Sequence, residues 1–217
     1  HTGMRRIGAS TASANIGHIF QLDSTNPKAR TDAWIEGRRL LPEFEAFYRD
    51  QVQGFENCEL SASASQLGIR ESRRILGDYV LTLEDYTRRA VFSDAVGCFA
   101  YGVDIHPYDP SPEEFERFRR EFFGKDQKTC YQQGEHYMIP YRILTARGLR
   151  NLLTAGRCVS TDKFMEASIR VMPGCFITGQ AAGTAAALAL NHRGDVRGFE
   201  IGDLQKKLRD SGVFLGE

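Results

Sequence analysis

Apolar positions fall at helical spacing in some stretches of the chain and in short strand-like runs in others. From Asp32 onward, Trp34, Ile35, Leu41, Phe44, Phe47 and Tyr48 recur at helical intervals, which predicts a helix capped by Asp32, kinked at Pro42 and finished before Gly54. Ahead of it the first thirty residues are rich in Gly, Ala, Ser and Thr, and one apolar patch at 16–22 reads as a short strand. Residues 60–82 mix β-branched and apolar side chains with Gly punctuation and predict two extended segments. Thr82 followed by Leu83, Glu84 and Asp85 marks the start of a short helix reaching about Val91, and 95–105 reads as a further strand.

The clearest local signal is Ser111-Pro112-Glu113-Glu114. Ser stands as N-cap, Pro opens the first turn and Glu114 can bond back, with Phe115, Phe118 and Phe122 on one face for core or interface packing. Gly124 is expected to end that helix. Residues 137–144 read as extended, 151–155 as a buried strand stopped by Gly156, and 173–191 as a long helix. Ile201, Leu204 and Leu208 predict a last amphipathic helix before Gly212. With no repeat and no linker-like stretch, these elements interleave as one α/β body with α+β character.

Composition narrows the function classes. Lys plus Arg and Asp plus Glu number 28 each, so no overall charge draws the chain to nucleic acid or an anionic membrane. The longest uncharged apolar run, 181–190, is half of the roughly 20 residues a membrane span requires. The five cysteines, Cys58, Cys98, Cys130, Cys158 and Cys175, show no CxxC pair and no zinc spacing, so they are expected to be thiols in a reducing, cytoplasmic setting, with no metal. The chain opens on His1, and the expectation is that an N-terminal portion precedes it.

The richest region for chemistry is 151–190. A short apolar run ends at Gly156-Arg157, and after a loop the segment Arg170-Val171-Met172-Pro173-Gly174 turns into a helix carrying Gly179, Ala182, Gly183 and Ala186 on one face. Free N–H groups and partial positive charge at such a start stabilise a developing negative charge, while small residues allow close approach of a ligand or simply tight packing.

Four segments resemble the FAD-dependent oxidoreductases of the glutathione-reductase-like superfamily, in particular a bacterial group some of whose members are labelled "xanthan lyase". They are Gly68-Ile-Arg-Glu-Ser-Arg-Arg-Ile-Leu-Gly77-Asp-Tyr-Val-Leu-Thr82, Ile139-Pro-Tyr-Arg-Ile-Leu144, Asn151-Leu-Leu-Thr-Ala-Gly-Arg-Cys-Val-Ser160, and Arg170-Val-Met-Pro-Gly-Cys175 running into Gly179-Gln-Ala-Ala-Gly-Thr-Ala-Ala-Ala187. The resemblance implies an FAD-binding Rossmann-like domain interrupted by a mixed-sheet substrate domain. Residues 1–135 would be the substrate-type part and 136–217 the returning C-terminal part of the FAD domain. It further implies that Ala155, Gly156 and Arg157 pass the ribitol and diphosphate of FAD, and that Arg170, Val171, Met172 and Gly174 lie with their backbone against the flavin O2. The segments 66–82 and 95–106 would face the substrate.

The GxGxxG turn that opens such chains and holds the diphosphate is missing from this sequence. The chain is therefore expected to be the C-terminal portion of a longer flavoprotein, inactive by itself and binding FAD weakly or not at all. Arg157 stands where the superfamily often has an acidic residue, and an arginine there suits phosphate or a reduced flavin anion. His136, Tyr137 and Arg142 are the candidate catalytic residues, the first two for proton transfer and the third for an anion. Arg70, Glu71, Arg73 and Arg74 can bind an anionic substrate or pair among themselves, with pairing favoured for Glu71. The primary reading is flavin-mediated hydride transfer on a small-molecule substrate of unknown identity. A non-catalytic ligand- or partner-binding module is the alternative. A lyase or hydrolase is disfavoured, because the chain has no GxSxG elbow. Apolar surface left bare on 151–155 or along the long helix predicts homo-oligomers.

Overall fold

The computed structural model describes residues 3–122 and 131–216. Two compact units emerge, one comprising residues up to Ile69 with Tyr108–Pro110, the other Arg70–Pro107 with the chain from Ser111 onward.

In the first unit β1 (Met4–Arg6) pairs antiparallel with β2 (Ala12–Ala14), and two helices follow, α1 (Pro27–Arg39) and α2 (Leu41–Gln51). The patch 16–22 forms no strand. Helix α1 starts earlier than its apolar spacing suggests, because the Asn26 side chain accepts the Lys28 N–H at 2.9 Å and Pro27 supplies a preset first turn. Asp32 is no cap; it takes the Lys28 Nζ at 2.6 Å one turn along the helix. Pro42 does not kink one long helix but lies in the first turn of a second, where its missing N–H costs nothing. Among the described residues of this unit, only Ala33 and Tyr48 are deeply buried.

The second unit holds the core. β3 (Ala95–Phe99) pairs antiparallel with β4 (Tyr137–Pro140), with a bulge between Ala95 and Gly97. The helices of this unit are α3 (Leu83–Thr87), α4 (Pro112–Phe122), α5 (Lys163–Ile169), α6 (Met172–Ala189) and α7 (Ile201–Asp210), of which α6 and α7 pack directly on β3. Val96, Tyr137, Ile139, Ile143, Leu144, Met165, Ile169, Leu204 and Leu208 form one buried cluster. Leu204 and Leu208 anchor α7, each side chain contributing on the order of 2 kcal/mol by leaving water.

The architecture is α+β with two small antiparallel sheets among the described residues, in keeping with the expected α+β character, while the strand-like stretches of 60–82 and 151–155 join neither sheet. The reason lies in where backbone hydrogen bonds go. Between Ile75 and Leu81 the chain is irregular, bending at Asp78 and Tyr79, and its N–H groups donate to separate partners: Ile75 to the Cys158 carbonyl at 2.9 Å, Tyr79 to Arg142 at 3.2 Å and Leu81 to Ser160 at 3.1 Å. Isolated bridges replace a ladder, and the one joining Leu81 to Thr161 is the only parallel pairing among the described residues. Residues 151–155 likewise form no buried strand. Leu153 makes a single bridge to Thr145, and Leu152 is 41% exposed.

Local end signals fare better than strand patterns. Thr82 and Asp85 form a reciprocal capping box on α3, which ends at Thr87 rather than Val91 because Arg89 turns left-handed, at φ 55°. Ser111 accepts the Glu114 N–H at 3.2 Å and starts α4. Phe115 is 47% exposed, so that aromatic row does not enter the core there; Gly124 and the Phe122 side chain lie outside the described residues. Helix α5 has no counterpart in the sequence reading. Asp162 caps it by accepting the Phe164 and Met165 N–H groups at 2.9 and 2.8 Å, and its other oxygen takes the Leu83 N–H at 2.8 Å, tying α5 to α3. The long helix α6 and the amphipathic α7 appear where periodicity places them.

Candidate functional site

Helix α6 carries no charged residue and buries one face through Gly174, Thr178, Ala181, Ala185 and Ala189. Gly174 is required by packing, since a Cβ there would collide with the Ile169 carbonyl at the end of α5. That close approach brings α5 and α6 nearly end to end and leaves the start of α6 without a side-chain cap. Its first-turn N–H groups and dipole are thereby available to an anionic or carbonyl oxygen. Gly179 and Gly183, expected on an approach face, have open space where a side chain would project, and Phe176 on the same helix and Leu190 just beyond its end are 64% and 78% exposed.

A cleft of about 620 Å³ opens beside this helix start. Val171 and Pro173 form one wall, β3 and the residues after it supply Cys98, Phe99, Ala100 and Tyr101, and His136 and Phe214 complete it. Phe99 and Tyr101 lie nearly parallel with ring centres 6.2 Å apart, while His136 meets Phe214 edge-on at 5.3 Å. The lining is largely apolar and aromatic, with His136 contributing an imidazole. Burial pushes the Cys98 thiol up to about 11, so it stays protonated and behaves as a small apolar group.

The segment 155–158 reaches α6 from the other side. Gly156, at φ 73°, opens a 3-10 turn ending at Cys158, and its N–H donates to the Thr178 hydroxyl at 3.0 Å. The turn is thus clipped onto α6 near its start, with Ala155 at its N-cap and the Arg157 side chain exposed. Cys175 donates to the Arg170 carbonyl at 3.1 Å, and burial raises its thiol above the ordinary range.

Of the three candidate catalytic side chains, the structure places only His136 in the cleft. Tyr137 alternates to the other face of β4, where it is buried; its hydroxyl meets Ser168 at 3.0 Å, and Ser168 donates onward to the Tyr101 carbonyl at 2.7 Å. Burial pushes that phenol far upward, so it holds its proton. Arg142 lies beyond the end of β4, bonded to Asp94 at 2.9 Å and resting over the Tyr79 ring at 5.0 Å.

Sequence reasoning did not single out Glu166, on α5. It is completely buried, and neither carboxylate oxygen finds a hydrogen-bond partner. Burial pushes its carboxyl up to about 7, against the pull of Arg74, Arg170 and Arg157 and with the push of Glu71. Arg170, its own side chain only 9% exposed, bonds the Asp104 carbonyl at 2.6 Å and lies 3.5 Å from that carboxylate. Nothing in the local sequence marks Glu166, since a Glu in the first turn of a helix ordinarily faces water. No group of three metal-ligating side chains gathers among the described residues.

The family described as FAD dependent oxidoreductase matches residues 3–208. The chain belongs to that family. FAD is the cofactor the family uses, which supports a flavin-type oxidoreductase function. No curated protein and no solved structure matches the chain. No described helix is long and apolar enough to cross a membrane.

Proposed function

We propose that this chain supplies the ring end of an FAD site, with the start of α6 against the pyrimidine edge of the isoalloxazine and the aromatic cleft beside it receiving the ring or the substrate. The observation that carries this reading is the uncapped start of α6 opening on a cleft roomy enough for a planar tricycle. Val171, Met172, Gly174 and the backbone of Arg170 would hold the pyrimidine oxygen, and Ala155, Gly156 and Arg157 would pass the ribityl side. Bound FAD supplies hydride transfer, for which the protein gives position and electrostatics. Met172 and Gly174 offer backbone N–H groups to a developing negative charge. Phe99, Tyr101 and Phe214 would exclude water from the cleft, and the His136 imidazole would hold or pass a proton there. In this reading residues 136–217 form the returning part of a Rossmann-like domain and the earlier chain the substrate-type part, although β3 and β4 pair across that boundary.

The chain carries no GxGxxG turn, so its own residues address the ring and not the diphosphate. Titration with riboflavin and with FAD, followed by flavin fluorescence, tests this. Both should bind weakly and within about threefold of each other, a difference under about 1 kcal/mol. FAD binding a hundredfold tighter than riboflavin, or binding of neither at millimolar concentration, would overturn the reading.

A further inference from the structure

Four guanidiniums, those of Arg70, Arg74, Arg157 and Arg170, converge on the region between the extended segment after Ile69, the 155–158 turn and α5. The acidic groups among them are Glu71, Asp104 and Glu166. Arg70 lies 3.8 Å from Asp104, to which Arg170 is also bound, and Arg74 lies 3.9 Å from Glu71. His106 contacts the same Asp104 at 3.3 Å. The two guanidiniums on Asp104 repel one another, and burial together with Arg70 lowers the affinity of Arg170 for its proton. Within the cluster the Arg70 Nη1 is buried with no hydrogen-bond partner, and so are both oxygens of the fully buried Glu166. A buried donor and a buried acid left unsatisfied among arginines cost several kcal/mol together unless a further group completes them.

We propose that Arg70, Arg74 and Arg170, with Glu166, form an anion-binding site for a carboxylate or phosphate group of the substrate, in which Glu166 is protonated and donates its O–H to the anion. The guanidiniums supply planar, charge-assisted donors, and a neutral carboxyl adds a donor without repelling the ligand. Ionisation of Glu166 places a like charge against the anion, so occupancy couples to one proton. The titratable and charged neighbours that set this behaviour are Glu71 and Arg74 on the extended segment, Asp104 and His106 on the loop after β3, Arg157 and Cys158 on the turn, and Arg170 and Cys175 where α5 meets α6. The site is independent of the ring-binding proposal in its chemistry, and rests on that proposal only in being the substrate's.

Sulfate is a suitable probe because its charge does not change between pH 6 and 9. Added to the folded chain, sulfate should shift the arginine Nε resonances of Arg70 and Arg170. Its affinity should fall about twentyfold from pH 6.5 to pH 8.5, as expected for one proton leaving a group that titrates near 7. Glu166→Gln should bind sulfate with no such pH dependence, and Arg70→Ala should weaken binding at least tenfold. If Glu166→Gln does not fold, the Glu166 carboxyl carbon resonance of the unaltered protein serves, and its titration should move to higher pH with sulfate present. Unmoved Arg70 and Arg170 resonances, or the same pH dependence in Glu166→Gln, would overturn the site. Sulfate displaced by FAD but not by riboflavin would assign the anion to the cofactor and refute the substrate assignment, whereas displacement by neither supports it. Loss of flavin binding alone would leave the sulfate result standing, so the two proposals fail separately.

Discussion

Replacement of Glu166 by Gln removes a proton site while keeping the shape of the side chain, and the structure sets the sign and size of the result. In the unfolded chain the carboxyl titrates near 4.5, and in the folded protein burial raises it to about 7. The folded state therefore holds the proton more tightly, and the associated stability is fully present below the unfolded value and lost as pH rises through about 7. The full difference of roughly 2.5 pH units corresponds to about 3 kcal/mol. Between pH 5 and pH 8.5 some 2–3 kcal/mol of it should develop. Denaturant unfolding followed by far-UV circular dichroism, run on both proteins at both pH values, isolates the effect, because any packing cost of the amide is common to the two conditions. Glu166→Gln should gain about 2–3 kcal/mol relative to the parent on going from pH 5 to pH 8.5, or roughly 4–10 °C in Tm for a protein of this size. A gap between the two proteins that is the same at both pH values would show that Glu166 is ionised in the folded state and that its environment has been misjudged.

Two glycines of α6 should respond oppositely. Gly174→Ala drives a Cβ into the Ile169 carbonyl and should cost about 2–4 kcal/mol, whereas Gly183→Ala enters open space and should stabilise by about 0.5–1 kcal/mol through helix propensity; thermal melts showing equal effects would contradict the close approach of α5 and α6. Phe176 on α6 and Leu190 just past its end, both largely exposed, predict self-association, visible as a concentration-dependent elution volume in sizing chromatography and reduced by Phe176→Glu; a clean monomer at all concentrations would count against it.

Helix ends were legible because their signals are local. Thr82 and Ser111 each cap a helix through a side chain three residues from the N–H it accepts, and such chemistry needs no distant partner; Asn26 and Asp162 cap α1 and α5 by the same chemistry, but the sequence placed the first cap at Asp32 and missed α5. Strands were not legible in the same way. Residues 70–81 and 151–155 have strand-like composition, yet their hydrogen bonds go singly to turns far away in the chain, and no periodicity reports which partner a backbone group will find. The candidate site divides along the same line. The turn at Gly156 and the start of α6 followed from glycine, proline and the family's motifs. That His136 reaches the cleft while Tyr137 turns into the core depends on the β4 pleat and on which face Ser168 occupies.

Composition and local pattern determined where most of the described helices lie and which family the chain belongs to, since those depend on residues close together in sequence or on motifs kept in order. Only the tertiary structure decided that Glu166 is sealed among arginines and that Arg142 is held by Asp94. Burial and desolvation are set by what the distant chain brings alongside, and a side chain's charge state follows from that surrounding.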